Sequence, residues 1–395
     1  MKKQILFVES SATATPGKMA KAFKQAGYET ILISLLPVND SFTKEAYSKI
    51  ISFDFKFFHA NLKELPKIAR YGLSKWKSML NAWLQIRRLN PDILIARSTP
   101  NWLCYIFHKY FRKSLFIYFP YDFRNFSYVD RKQALTLTTP FELYSEKYCF
   151  ENADGIIYKG AENKLDLINK KVTGELNIQA PYLHIMPYCL KNLIVPINKN
   201  KLSKKDGEIH LAFVGHIGTD YSWKNSVKLV LDSKIHLHLY GKSVYFDAKT
   251  SERRDEYSAF LKNKYFHLHK QLDQFDLVKD ISKFDYGIWL GYYDNFTNSI
   301  LADTGNKFAT YLEAGLPVIY FDNHKYIGKS FSQYGAGIPI NINSNLGKIL
   351  RSISKKKYQE MISKIEKGRE KVTVEADIPR LIEFFKKALV YKNSK

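Results

Sequence analysis

Residues 305–315, GNKFATYLEAG, place a glycine, an amide and an ammonium at the start of a helical pattern that a second glycine closes. Gly305 can end the preceding loop. The free N–H groups of the first turn, with Asn306 and Lys307, then make an anion site suited to a phosphate. Gly315 suits the left-handed C-cap, and Pro317 opens the strand LPVIYF after one intervening residue. Read as structure alone, the segment is a helix-to-strand corner. A second such turn is VGHIG, where Gly215 to Gly218 end a strand at a point of close backbone approach. His216 lies in that turn, and Lys224 follows a short loop later, placed to meet a phosphate as a point charge. Gly241 closes HLHLYG in the same way. Each of these also reads as an ordinary glycine turn or a solvated lysine.

The segment SLFIYFPYDFRNF ends a strand in a Pro-Tyr-Asp turn, which puts Asp122 at the carboxyl end of a strand. A carboxylate there can take the proton that a hydroxyl nucleophile must lose; a turn-capping aspartate is the alternative. Arg97 in IARSTP and Asp294 in GYYDNFTNS stand at other strand ends. No Asp-x-Asp tripeptide occurs, so a diphosphate would be met by cationic side chains and a helix dipole, not by a bridging metal. His236, His238, His267 and His269 alternate along strands and read as structural histidines on one face, with no metal expected. Glu142 and Glu146 share a helical face and read as solvated.

These residues must be positioned by short apolar runs alternating with amphipathic stretches. QILFVE, GKMAKAFKQAG and ETILISLL begin the pattern, and PDILIA, SLFIYF and DGIIYKG continue it, as parallel βαβ units do. The grammar restarts after residue 208 with IHLAFVG, KIHLHLYG, KYFHLHK, FDYGIWLG and LPVIYF. Between the halves lies KNLIVPINKNKLSKKDGE, polar, Lys-rich and broken by a proline. The expected organisation is a doubly wound α/β domain over 1–190, a linker over 191–208, a second domain over 209–376, and a C-terminal helix over 377–395 that packs back on the first domain. Two such sheets facing each other make a cleft, with ligands at the carboxyl ends of the strands. The 395 residues, 45% of them hydrophobic, are enough for two cores. Three scattered cysteines offer no disulfide framework, the apolar start is cut short by Glu9, and no stretch reaches the roughly 20 apolar residues of a membrane span. A cytoplasmic protein is expected. Its formal charge of +23 favours phosphorylated substrates, anionic lipid or nucleic acid.

The NK followed by YLEAGLPVI resembles the NKxxEYLAAGxPVI signature of GT-B glycosyltransferases similar to family 4. LAFVGHIG, HLHLYGK and QLDQFDLVKDISKFDYGIWL resemble successive elements of that family's donor domain, and PGKMAKAFKQAGYETILIS its opening helix and strand. The resemblance implies a GT-B fold of two Rossmann-like domains and a helix from Asn306 that holds a nucleotide-sugar by diphosphate and ribose. It implies acceptor contacts near Gly17 and Tyr121, the latter standing where the family commonly has histidine, and Arg97 at its strand end is a further acceptor candidate. The family's two ribose-side glutamates are replaced by Thr310 and Ala302, which shifts ribose binding to Thr310, Asp303 or backbone. Glu313, one turn further on, reaches the ribose only from a shifted helix; otherwise it caps or edges the core.

Residues 56–88 interleave Lys and Arg with Phe, Trp, Leu and Met. Trp76, Leu80, Trp83 and Leu84 recur at helical spacing with Lys75, Lys77, Arg87 and Arg88 flanking them, as in an interfacial helix on an anionic membrane, touching it through Trp76, Lys77, Trp83 and Arg87, or a packed helix with a basic outer face. The reading is a metal-independent, cofactor-free hexosyltransferase acting from a nucleotide-sugar on a saccharide or lipid-linked saccharide, in bacterial surface polysaccharide or glycan assembly. It would be cytoplasmic and peripheral on the inner face of the membrane, with no nucleic-acid partner. Alternatives are a nucleotide-sugar epimerase of the related two-domain fold and a non-catalytic basic nucleic-acid-binding protein.

Overall fold

The structure is a computed structural model that describes residues 2–53, 65–98, 100–120, 140–159, 178–186, 188–215, 223–241, 259–291, 306–324 and 336–395, with side chains in the first helix-rich stretch from residue 76 onward. It divides into two compact units, 1–185 with 377–395, and 186–376.

The first unit is built on a parallel sheet of seven strands: β1 Gln4–Glu9, β2 Glu29–Ser34, β3 Lys49–Ser52, β4 Ile93–Arg97, β5 Leu115–Phe119, β6 Gly155–Lys159 and β7 Tyr182–Ile185. Their spatial order is β3-β2-β1-β4-β5-β6-β7. The central strands are apolar at nearly every position because helices cover both faces, as all-parallel sheets require. Those helices are α1 Ala14–Gln25, α2 Ser41–Ala46, α3 Leu65–Ile86, α4 Asn101–Tyr110 and α5 Pro140–Asn152. Glu142 and Glu146 of α5, expected on a solvated face, are buried. The reason is a helix start: Glu142 accepts from the N–H groups of Asn101 and Trp102 and from the Asn101 amide, so it caps α4 from another helix.

The second unit carries β8 His210–Val214, β9 His236–Tyr240, β10 Phe266–His269, β11 Tyr286–Ile288, β12 Val318–Phe321 and β13 Gly337–Ile340, parallel and ordered β10-β9-β8-β11-β12-β13. The winding reverses between β8 and β11, the switch point of a doubly wound sheet. Its helices are α6 Ser203–Asp206, α7 Trp223–Asp232, α8 Gln274–Ile281, α9 Asn306–Glu313, α10 Leu346–Arg351 and α11 Lys355–Gly368. Residues 191–208, read as a linker, form a strap on this unit: Ile194, Val195, Ile197 and Leu202 pack on its core, and the buried Lys201 ammonium donates to the Ser282 carbonyl.

The last helix, α12 Val374–Ser394, starts earlier than its proline suggests, so Pro379 lies inside the helix beyond its first turn. Thr373 supplies the start by accepting from Ala376 N–H. From residue 377 the helix belongs to the first unit, where Phe385 stacks on Phe23 and Lys392 pairs with Asp154 at 3.1 Å.

Candidate functional site

The site in the second unit is assembled at the carboxyl ends of β8, β9 and β11. Gly215 follows β8 at φ 123° and Gly241 follows β9 at φ 151°, both in the region that favours glycine. A Cβ on Gly241 would lie 2.3 Å from the Gly215 carbonyl oxygen, so the two strand ends approach as closely as backbone allows. Gly215 N–H also donates to the Tyr240 carbonyl at 2.8 Å.

Helix α9 starts over these turns. Tyr311 fixes it there: its hydroxyl donates to the Ile288 carbonyl at 2.9 Å and accepts from Val214 N–H at 3.0 Å, tying the helix to the ends of β11 and β8 together. Gly287 makes room for this ring, since a Cβ there would stand 2.4 Å from it. At the other end Gly315 takes φ 71°, and Leu316 N–H closes on the Tyr311 carbonyl at 2.8 Å. That is the left-handed corner expected of the glycine before LPVIY.

Lys307, in the first turn, reaches back toward Gly215, where a Cβ would meet its Nζ at 3.1 Å. The ammonium lies 4.1 Å from the Trp289 ring centre, 4.5 Å from that of Phe213 and 5.5 Å from that of Trp223. Cation–π attraction holds it in place of hydration. Part of the side chain stays open to solvent, but enclosure of its charged end pushes the amine down from 10.5 to about 7. Among the described residues no carboxylate pairs with it, so the first turn of α9 presents a cation with no acid to neutralise it. An anion fits there.

The other expected donor contacts are placed differently. Asn306 is half-buried at the helix start and Lys224 is exposed in the first turn of α7. Thr310 is buried and accepts from the Gln274 amide of α8 at 3.2 Å, so its hydroxyl serves helix packing. Glu313 is fully buried at the far end of α9 and accepts from Leu190 N–H at 2.8 Å, a capping role for the strap. His216 and Asp303 lie outside the described residues, as do Asp122 and Tyr121 of the acceptor set.

In the first unit the winding reverses between β1 and β4. There Glu9 is fully buried, accepting from the Thr13 hydroxyl at 2.7 Å and the Tyr47 hydroxyl at 3.2 Å, with Arg97 Nη1 at 3.5 Å. Burial lifts its carboxyl to about 7, against the pull of Arg97 and the hydroxyls. Arg97 is thus joined to a residue that the sequence presented only as the end of an apolar run. Gly17 sits under the Phe42 ring, which a Cβ would meet at 3.0 Å, so its small size serves the contact of α1 with α2. On α3, Trp76, Lys77 and Trp83 are exposed, as is Arg87 just past its end, and Trp83 packs on Tyr110 of α4 at 5.0 Å. No helix among the described residues is long and apolar enough to cross a membrane.

Residues 211–381 match the Glucosyltransferase 3-like, C-terminal domain family. A comparison with the curated proteins finds no match. Sucrose-phosphate synthase from Thermosynechococcus elongatus is similar over 97% of this chain and 98% of its own, at 14% identity and TM-score 0.64. HepE from Anabaena, solved with UDP and glucose, is similar over 96% and 98%, at 11% identity and TM-score 0.61. A glycosyltransferase from Rickettsia africae is similar over 98% and 99%, at 14% identity and TM-score 0.59. The fold is the GT-B fold of two parallel-sheet units, and residues 211–381 of the second unit match a glucosyltransferase C-terminal domain.

Proposed function

We propose that the protein transfers a hexose from a uridine-diphosphate sugar to a hydroxyl of a saccharide or lipid-linked saccharide, in the assembly of a bacterial surface polysaccharide or glycan. The observation that carries this reading is the Lys307 ammonium, held by three rings at the switch point of the second sheet beside the close turns of Gly215 and Gly241. A diphosphate placed there receives a point charge and helix N–H groups, and this stabilises the charge that builds on the leaving nucleotide as the glycosidic bond breaks. HepE, of the same fold, takes UDP and UDP-glucose, which supports a uridine donor. The cations and N–H groups of the site supply what a bridging metal supplies elsewhere, so turnover needs no Mg²⁺ or Mn²⁺ at the diphosphate. The acceptor proton is assigned to Asp122, and Glu9 with Arg97 holds the neighbouring strand ends of that unit in place.

The exposed Trp76, Leu80, Trp83 and Leu84 of α3, flanked by Lys77, Arg87 and Arg88, support peripheral attachment to an anionic membrane on the cytoplasmic side, where a lipid-linked acceptor would be met. The test is UDP release from UDP-hexoses by the purified chain with oligosaccharide or lipid-linked acceptors, with and without added divalent metal. Acceptor-dependent release that persists without Mg²⁺ or Mn²⁺ supports the reading. Absence of release from every UDP-hexose, with every acceptor tried, contradicts it.

A further inference from the structure

On three adjacent strands of the second sheet, β8, β9 and β10, five imidazoles form two hydrogen-bonded rows. In one, His210 Nδ1 meets His238 Nε2 at 2.9 Å and His238 Nδ1 meets His269 Nε2 at 2.9 Å. In the other, His236 Nδ1 meets His267 Nε2 at 2.8 Å. Each row ends outward in a carboxylate: Asp206 Oδ2 lies 2.9 Å from His210 Nε2, and Glu208 Oε2 lies 2.6 Å from His236 Nε2. The parallel register β8 to β9 pairs His210 with His236, so their outer nitrogens emerge side by side. Gly207, at φ 76°, turns the chain after α6 so that Asp206 and Glu208 face the same point, and Glu208 N–H secures Asp206 through Oδ1 at 2.9 Å. One ligand atom each from Asp206, His210 and His236 lie within 4.8 Å of one another.

We infer that Asp206, His210 and His236, with Glu208 beside them, form a binding site for a borderline divalent cation such as Zn²⁺. Two imidazole nitrogens and one or two carboxylates are a donor set that zinc takes, at about 2.0–2.2 Å. The inner shell makes the case stronger than the outer one. A metal-bound imidazole needs an acceptor for its second N–H, and here each ligand histidine has one already in line: His238 behind His210, and His267 behind His236. Without metal, each outer Nε2–H donates to a carboxylate. With metal, Nε2 gives its lone pair to the cation and Nδ1 carries the proton. In the longer row, one proton leaves at His210 Nε2 as one enters at His269 Nδ1; every imidazole stays neutral. The rings of His210 and His236 stack at 4.5 Å, so they must tilt for their nitrogens to reach the spacing of about 3.4 Å that a tetrahedral cation sets. The exposed carboxylates can follow.

This site is separate from the donor site. His210 begins β8 and Gly215 follows its end, about 16 Å away at about 3.3 Å per residue. The cation would brace the strap and β8 to β9, with no part in sugar transfer.

The test is equilibrium dialysis of the full, tag-free chain against Zn²⁺ at neutral pH, with the Asp206→Asn/His236→Gln double variant alongside. One Zn²⁺ per chain, bound more than about tenfold less tightly by the variant, is the expected result. No saturable binding, or equal binding by the variant, would overturn the inference. If the double variant does not fold, Co²⁺ in the wild-type chain decides. The visible absorption of a four-coordinate site with histidine nitrogen supports the site; a spectrum of hydrated Co²⁺ only removes it. UDP binding by the folded variant should be unchanged.

Discussion

Replacing Lys307 by methionine should make the protein more stable and disable its donor site at once. The fall of the amine from 10.5 to about 7 corresponds to about 5 kcal/mol of disfavoured charge. Discounted for the part of the side chain open to water, the net cost is a few kcal/mol. Methionine keeps the length and removes the charge, so the variant gains about that amount. The sign with pH follows from linkage. The unfolded chain holds this proton up to about 10.5 and the folded chain only to about 7. Wild-type stability from this group therefore rises as pH goes from about 7 to about 10.5. The advantage of Lys307→Met is full below pH 7 and fades toward 10.5. Urea unfolding of both proteins at three pH values across that range measures it. In the same variant the affinity for UDP should drop by about 30–100-fold, the worth of charge-assisted hydrogen bonds to a phosphate. A variant less stable than wild type below pH 7, or a stability gap that does not change with pH, would refute the desolvated ammonium. Unchanged UDP affinity would refute its role.

Tyr311→Phe should cost about 2 kcal/mol, because Val214 N–H and the Ile288 carbonyl both lose their partner, and should weaken UDP binding by releasing α9 from the strand ends; calorimetric unfolding and titration check the two effects. Gly241→Ala should destabilise by about 3 kcal/mol or more, since its Cβ would stand 2.3 Å from the Gly215 oxygen at a φ of 151°, and a variant that melts with wild type would contradict the close approach. For Glu9, whose carboxyl is raised from 4.5 to about 7, folding is favoured at low pH and loses about 3 kcal/mol as pH rises through about 7. Glu9→Gln should remove that slope in denaturant unfolding at pH 5 and pH 8, and a slope retained in the variant would assign it elsewhere.

Much of the framework was legible because its signals are local. The strand runs, the glycine closing α9 and the proline after it act over neighbouring residues, so the corner at Gly315 is written in consecutive letters. The anion site was half legible. Lys307 at a helix start is a local fact, but the rings around it come from β8, α7 and the end of β11, and only the folded sheet brings Phe213, Trp223 and Trp289 together. Burial is not legible where a polar residue serves another element. Glu142 looked like one of a solvated pair, and its role depends on the start of α4, some forty residues earlier. Glu9 carried no motif, and its raised carboxyl follows from complete enclosure at a switch point. The proline of the last helix suggested a start that Thr373 sets one turn sooner. The histidine rows need the register of β8, β9 and β10, which alternation within one strand does not specify.

The central claim is a nucleoside-diphosphate site at the carboxyl ends of the second sheet. Its most direct test is thermal unfolding of the purified chain with UDP, GDP, CMP and TDP and their sugars, first without metal and then with it. UDP and UDP-sugars should raise the melting temperature without metal, by mass action on the folded state, and Lys307→Met should abolish the rise. No rise with any nucleotide, or a rise that survives Lys307→Met undiminished, would contradict it.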